Sequence, residues 1–121
     1  MSSPAATVGS AWTFRLAACA LAIAGALSCR RPPAPPGACA NLAMNVCTQY
    51  GGKQSRAAKR MCGGAPWLEG DDACPREGAL GRCVRERGAY TEWLYAGPPN
   101  RYTAAGARRT CQEAGGAFYE P

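Results

Sequence analysis

The chain has 121 residues, eight of them cysteine and none histidine, and its 14 lysines and arginines outnumber eight acids for a net charge of +6. That length holds one small domain. Without histidine the usual neutral-pH base is missing, the Ser and Thr hydroxyls have no base to activate them, and Glu77, Glu86 and Glu92 are scattered rather than paired, so the expectation is a protein that is not an enzyme.

In chain order, residues 16–27 (LAACALAIAGAL) form an unbroken apolar run. It is shorter than the about 20 residues a membrane span needs, and it lacks the polar face of a core helix. It fits the apolar stretch of a secretory signal over residues 1–28, with which Cys19 is expected to leave. Ala26, Leu27 and Ser28 then lead into Cys29, an order that resembles a bacterial lipobox and makes Cys29 the expected lipidation site. The AGA at 24–26 offers an ordinary cleavage site, so simple secretion stays open. Residues 29–38 hold four prolines. They are expected to form an extended, semi-rigid linker, with Arg30 and Arg31 beside anionic headgroups.

Residues 39–121 read as one disulfide-rich domain. Cys39, Cys47, Cys62, Cys74, Cys83 and Cys111 remain once Cys19 and Cys29 are set aside. In an exported chain this small, six cysteines imply three disulfides. A zinc site wants close ligand pairs such as C-x-x-C, often with histidine, and neither occurs. No metal or cofactor is expected. The large apolar side chains are few, and a core of this size contributes no more than about 3–5 kcal/mol. Each disulfide adds about 2–4 kcal/mol.

MNVCTQY (44–50) reads as a strand, and AKRMC (58–62) as the end of a short helix stopped by Gly63 and Gly64. EGDD (69–72) is a turn. GRCVRER (81–87) is a strand, Gly88 turns the chain, and YTEWLYAG (90–97) alternates as a further strand. GPPN (97–100) is another turn. Thr103 can cap a helix that carries Ala104, Ala107, Cys111 and Ala114 on one face. Gly115 ends that helix, and AFY (117–119) resumes as a strand. AKRMCGGAPW (58–67) matches ARRTCQEAGGAFY (107–119), and each has a cysteine-bearing strand upstream. The expected fold is therefore α+β: two short helices against short antiparallel strands, with a duplicated strand–helix–strand unit. Duplication points to Cys47–Cys62 and Cys83–Cys111, leaving Cys39–Cys74, among the 15 pairings that six cysteines allow.

VCTQY, AKRMCGG, ACPREGALGRC and ARRTCQEAGGAFY together resemble a set of small cysteine-rich bacterial lipoproteins of unassigned function. The resemblance covers about residues 45–119. It implies a lipid-anchored location in the cell envelope and supplies no activity.

From Cys39 onward eleven basic residues face eight acids. Arg82, Arg85, Arg108 and Arg109 are the candidates for an anion-binding surface. Two readings of function follow. One is a membrane-anchored, non-catalytic binding or structural module whose partner is an envelope protein or an anionic glycan, with no specific nucleic acid expected. The other is a released, disulfide-rich effector or inhibitor-like protein that binds another protein, or a polyanion-binding module.

Overall fold

The computed structural model describes residues 31–121. The apolar run, Cys19, Cys29 and Arg30 lie outside the described residues. The elements run β1 (Gly37–Asn41), a 3₁₀ turn (Leu42–Met44), β2 (Val46–Tyr50), α1 (Gly52–Met61), β3 (Trp67–Glu69), β4 (Ala79–Arg85), a second 3₁₀ turn (Glu86–Gly88), β5 (Tyr90–Tyr95), α2 (Ala104–Glu113) and β6 (Ala117–Tyr119). The six strands form one antiparallel sheet in the order β3-β1-β2-β5-β4-β6. The fold is α+β and three disulfides close it.

The order is the same read from either edge. Each half is a hairpin, a helix and a strand that returns to pair with the first strand of its own hairpin. The halves join through β2 and β5, where Thr48 faces Glu92 and the flanking pairs are Val46–Leu94 and Tyr50–Tyr90. Cys39 faces Trp67 on β3 as Cys83 faces Phe118 on β6. Two residues earlier stand Gly37 and Gly81, where a Cβ would overlap the Trp67 ring and Leu68 O in one half, and the Phe118 ring and Tyr119 O in the other. Glycine lets the aromatic ring lie flat on the neighbouring strand at both places. The basic residue three before each helix cysteine pairs with the acid just past that aromatic: Lys59 with Glu69, and Arg108 with Glu120. The repeated unit is thus ββαβ, one strand longer than the strand–helix–strand unit expected.

Side chains alternate across the sheet, and the two faces are built differently. Ala38, Ala40, Cys47, Trp93 and Tyr95 form the buried core with Cys74, and Leu68, Ala73 and Ala79 pack against it. This core lies on the face away from the helices, under the loop 70–78. Gln49 holds the loop down: its Nε2 donates to Gly37 O (3.2 Å) and Gly70 O (2.9 Å), and its Oε1 accepts from Ala73 N (2.7 Å). Tyr95 Oη donates to Pro75 O at 2.5 Å.

The helix face has little apolar burial. α1 buries only Ser55, and α2 only Ala107 and Cys111. One disulfide fastens each helix, Cys39–Cys62 and Cys83–Cys111, with Cα–Cα distances of 5.6 Å in both. Local signals shape α2 as its sequence indicates. Thr103 Oγ1 accepts from Gly106 N at 3.0 Å, and Gly115 takes the left-handed φ of +75° that stops the helix.

The Cys83–Cys111 pairing is the one the duplication suggests. The other two are corrected: Cys62 bonds Cys39, and Cys47 bonds Cys74. Register gives the reason. Cys39 faces Thr48, whereas Cys47 faces Ala40, one row along, so the two sulfurs project from opposite faces. Only Cys39 is on the helix side. The domain also begins earlier than residue 39, since Gly37 and Ala38 belong to β1.

Candidate functional site

The structure disperses the four arginines singled out in the sequence. Arg82 lies on the core face, where its guanidinium is 5.9 Å from the Trp93 ring centre and 5.2 Å from that of Tyr119. Arg76 approaches the same Trp93 at 5.7 Å. Arg85 is on the helix face, 3.5 Å from the Glu92 carboxylate. The Tyr90 phenol beside it, and then Glu92, hold its guanidinium more firmly protonated than usual. Arg108 lies over the Phe118 ring at 5.4 Å and pairs with Glu120. Arg109 is exposed on α2. All six domain cysteines are in disulfides.

Two surfaces come together instead. The first is the helix face between α1 and α2, around Thr48 and Glu92. On the α1 side a pocket of about 490 Å³ is lined by Tyr50, Tyr90, Gln54, Ala57 and Met61. On the α2 side its counterpart, about 180 Å³, is lined by Val46, Glu92, Leu94, Tyr102 and Thr110. Tyr50 sits between two rings, 6.2 Å from Trp67 and 5.8 Å from Tyr90. Burial, and then the neighbouring Tyr90, push its phenol pKa up.

The second surface is the outer flank of α1. The helical period sends Ser55, Ala58 and Cys62 toward the sheet, and Arg56, Lys59 and Arg60 to the side away from β2. Proline-rich residues run along that side. Arg56 Nη2 donates to Pro32 O at 3.2 Å, and Gly70 N donates to Pro36 O at 2.9 Å. A Cβ at Gly52 would stand 2.6 Å from Ala34 O, so the segment passes closely over the start of the helix. Between this strap and α1 lies a cavity of about 480 Å³, lined by Pro32–Pro35, Arg56, Lys59, Arg60, Trp67 and Glu69. Lys59 Nζ donates to Glu69 Oε1 at 2.5 Å. That contact, and secondarily the Trp67 indole, hold the Glu69 carboxyl below its usual range. The Trp67 Nε1–H itself is buried without an acceptor in hydrogen-bonding geometry.

The sequence signal for this flank was present but divided. The prolines read as a spacer and the α1 basic residues as part of a helix, and only the fold lays one on the other. Chemically both surfaces can bind and orient. Among the described residues, no group of three His, Cys, Asp or Glu side chains could hold a metal ion, and no helix is long and apolar enough to cross a membrane. No protein-family model, no curated protein and no solved structure matches this chain.

Proposed function

We propose that the protein is exported, is anchored to a membrane of the cell envelope through a lipid on Cys29, and serves there as a small non-catalytic binding module. The observation that carries the reading is the course of the chain from Cys29. An apolar run ends at Leu27, two residues before Cys29, and three residues after Cys29, at Pro32, the chain is already bonded to a domain closed by three disulfides. Disulfides of this kind persist where the surroundings are oxidising, outside the cytosol. A short lead from an anchor site to a stapled domain suits a module held close to a surface.

Fractionation tests this reading. The wild-type chain should sediment with membranes, and Cys29→Ala should move it to the soluble fraction. A wild-type chain recovered in the soluble fraction would overturn the anchor and favour a released effector.

A further inference from the structure

We infer that the outer flank of α1 is the face this domain lays on the anionic headgroups of the membrane that holds its anchor; the inference rests on the anchoring reading above. Three observations converge on it. The first is charge. α1 carries Lys53, Arg56, Lys59 and Arg60 and no acid. Lys59 is paired with Glu69. Lys53, Arg56 and Arg60 are exposed, and among the described residues none of them is in a salt bridge. They stand at i, i+3 and i+7 on the side of α1 turned away from the sheet, where Arg56 and Arg60 border the strap cavity and Lys53 borders the Tyr50–Tyr90 pocket.

The second observation is the tether. Arg56 grips the carbonyl of Pro32, and the strap is held again at Pro36. Only Arg30 and Arg31 stand between Cys29 and Pro32, three residue steps and at most about 11 Å of chain. That reach is comparable with the screening length of about 8 Å at physiological salt. A lipid on Cys29 would therefore leave little chain between a headgroup layer and the point where the strap is fastened to α1.

The third is the cavity between strap and helix. Arg56, Arg60 and the Trp67 edge line it, and the buried Trp67 Nε1–H lacks an acceptor. Arg56 already donates to Pro32 O, but Arg60 and the Trp67 indole have no hydrogen-bond acceptor among the described residues, and a headgroup phosphate is an acceptor of the right charge. α2 differs: its Arg108 is spent on Glu120 and Phe118, and among the described residues no strap is fastened to it.

The test uses the Cys29→Ser chain, so that binding through the face is read without the lipid. Cosedimentation is measured with vesicles of phosphatidylcholine alone and with vesicles that also contain phosphatidylglycerol. The chain should bind the anionic vesicles and not the neutral ones, and roughly 0.5 M salt should release it. Changing Lys53, Arg56 and Arg60 together to Gln should weaken binding about a hundredfold, at roughly one basic contact's worth per residue. Changing Arg87, Arg101 and Arg109 to Gln removes the same charge elsewhere and should leave binding within about twofold. Equal loss from the two triple variants would overturn the inference, because net charge alone would then explain binding. Failure of the Cys29→Ser chain to prefer anionic vesicles would also overturn it, as would tighter retention on a soluble anionic polysaccharide. If the face binds as stated but the wild-type chain is found released, the anchor reading fails and the face stands.

Discussion

Thr48 stands directly opposite Glu92 across the β2–β5 pair, and the two halves of the sheet are arranged about that contact. On either side of it the equivalent positions have drifted apart. Tyr50 answers to Leu94 and Trp67 to Phe118. α1 is rich in basic residues and strapped by proline, whereas α2 carries Arg108, Arg109 and Glu113. The scaffold is repeated and its surfaces are not, so any specificity resides in the differences between the halves.

The disulfide pattern is open to direct mapping. Non-reducing digestion should yield peptides linked Cys39–Cys62, Cys47–Cys74 and Cys83–Cys111. The three loops span 23, 27 and 28 residues, and loops of that size are each worth roughly 3 kcal/mol by restricting the unfolded chain. Reduction should therefore unfold the domain. A thermal melt unchanged by reductant would contradict this.

Gly116 and Gly64 should respond differently to alanine. A Cβ at Gly116 would lie 2.5 Å from Cys83 Sγ and 2.9 Å from Cys111 Sγ, while one at Gly64 meets nothing within 4 Å. Gly116→Ala should destabilise by about 1–3 kcal/mol through overpacking against the disulfide. Gly64→Ala should be neutral or slightly stabilising. Urea midpoints of the two variants decide it, and equal shifts would count against the placement of β6.

Asn45 joins the halves at one end of the sheet. It is 5% exposed. Its Nδ2 donates to Ala96 O at 2.8 Å, its Oδ1 accepts from Asn100 N at 3.4 Å, and its φ is +61°. Asn45→Gly keeps that backbone conformation accessible and removes the side-chain bonds, so the expected loss is about 1–3 kcal/mol. Asn45→Ala should lose more, because it adds backbone strain. If both variants melt like wild type, the side chain is not holding this corner.

Alkaline pH should weaken the fold. Burial raises the phenol pKa of both Tyr50 and Tyr95 above the ordinary 10.0. The folded state then keeps a proton that the unfolded chain releases. The contribution is complete below about pH 10 and declines as pH rises through the raised folded values. Ultraviolet titration should show these two phenols ionising later than the exposed ones. In Tyr95→Phe the reversible loss of stability above about pH 10 should be shallower. An identical alkaline profile would exclude Tyr95 as a source.

Much of this fold is legible in the sequence because its signals are local. Thr103, the alanine stripe with Cys111, and Gly115 delimit α2 without reference to anything distant. The alternation in 90–97 shows β5. β1 is not legible: GACAN has no large alternating side chains, and its strand character comes from lying between β2 and the ring of Trp67. Missing that strand also shifts the equivalence between halves from Cys39 to Cys47, and the error in pairing follows from it. The candidate site was hidden for a similar reason. Arg56 and Pro32 are 24 residues apart, and no pattern along the chain says that they meet. Strand parity keeps Arg82 and Arg85 apart, on opposite faces of the sheet.

Both margins of the sheet are three-residue strands, β3 and β6, and an acid at the last residue of β3 and just past β6 is tied back to its helix. An approaching strand would find only one or two backbone partners there before meeting a charge. A long open margin invites pairing between molecules; these are too short to template it. Domains with such margins can crowd and collide without zipping into fibres.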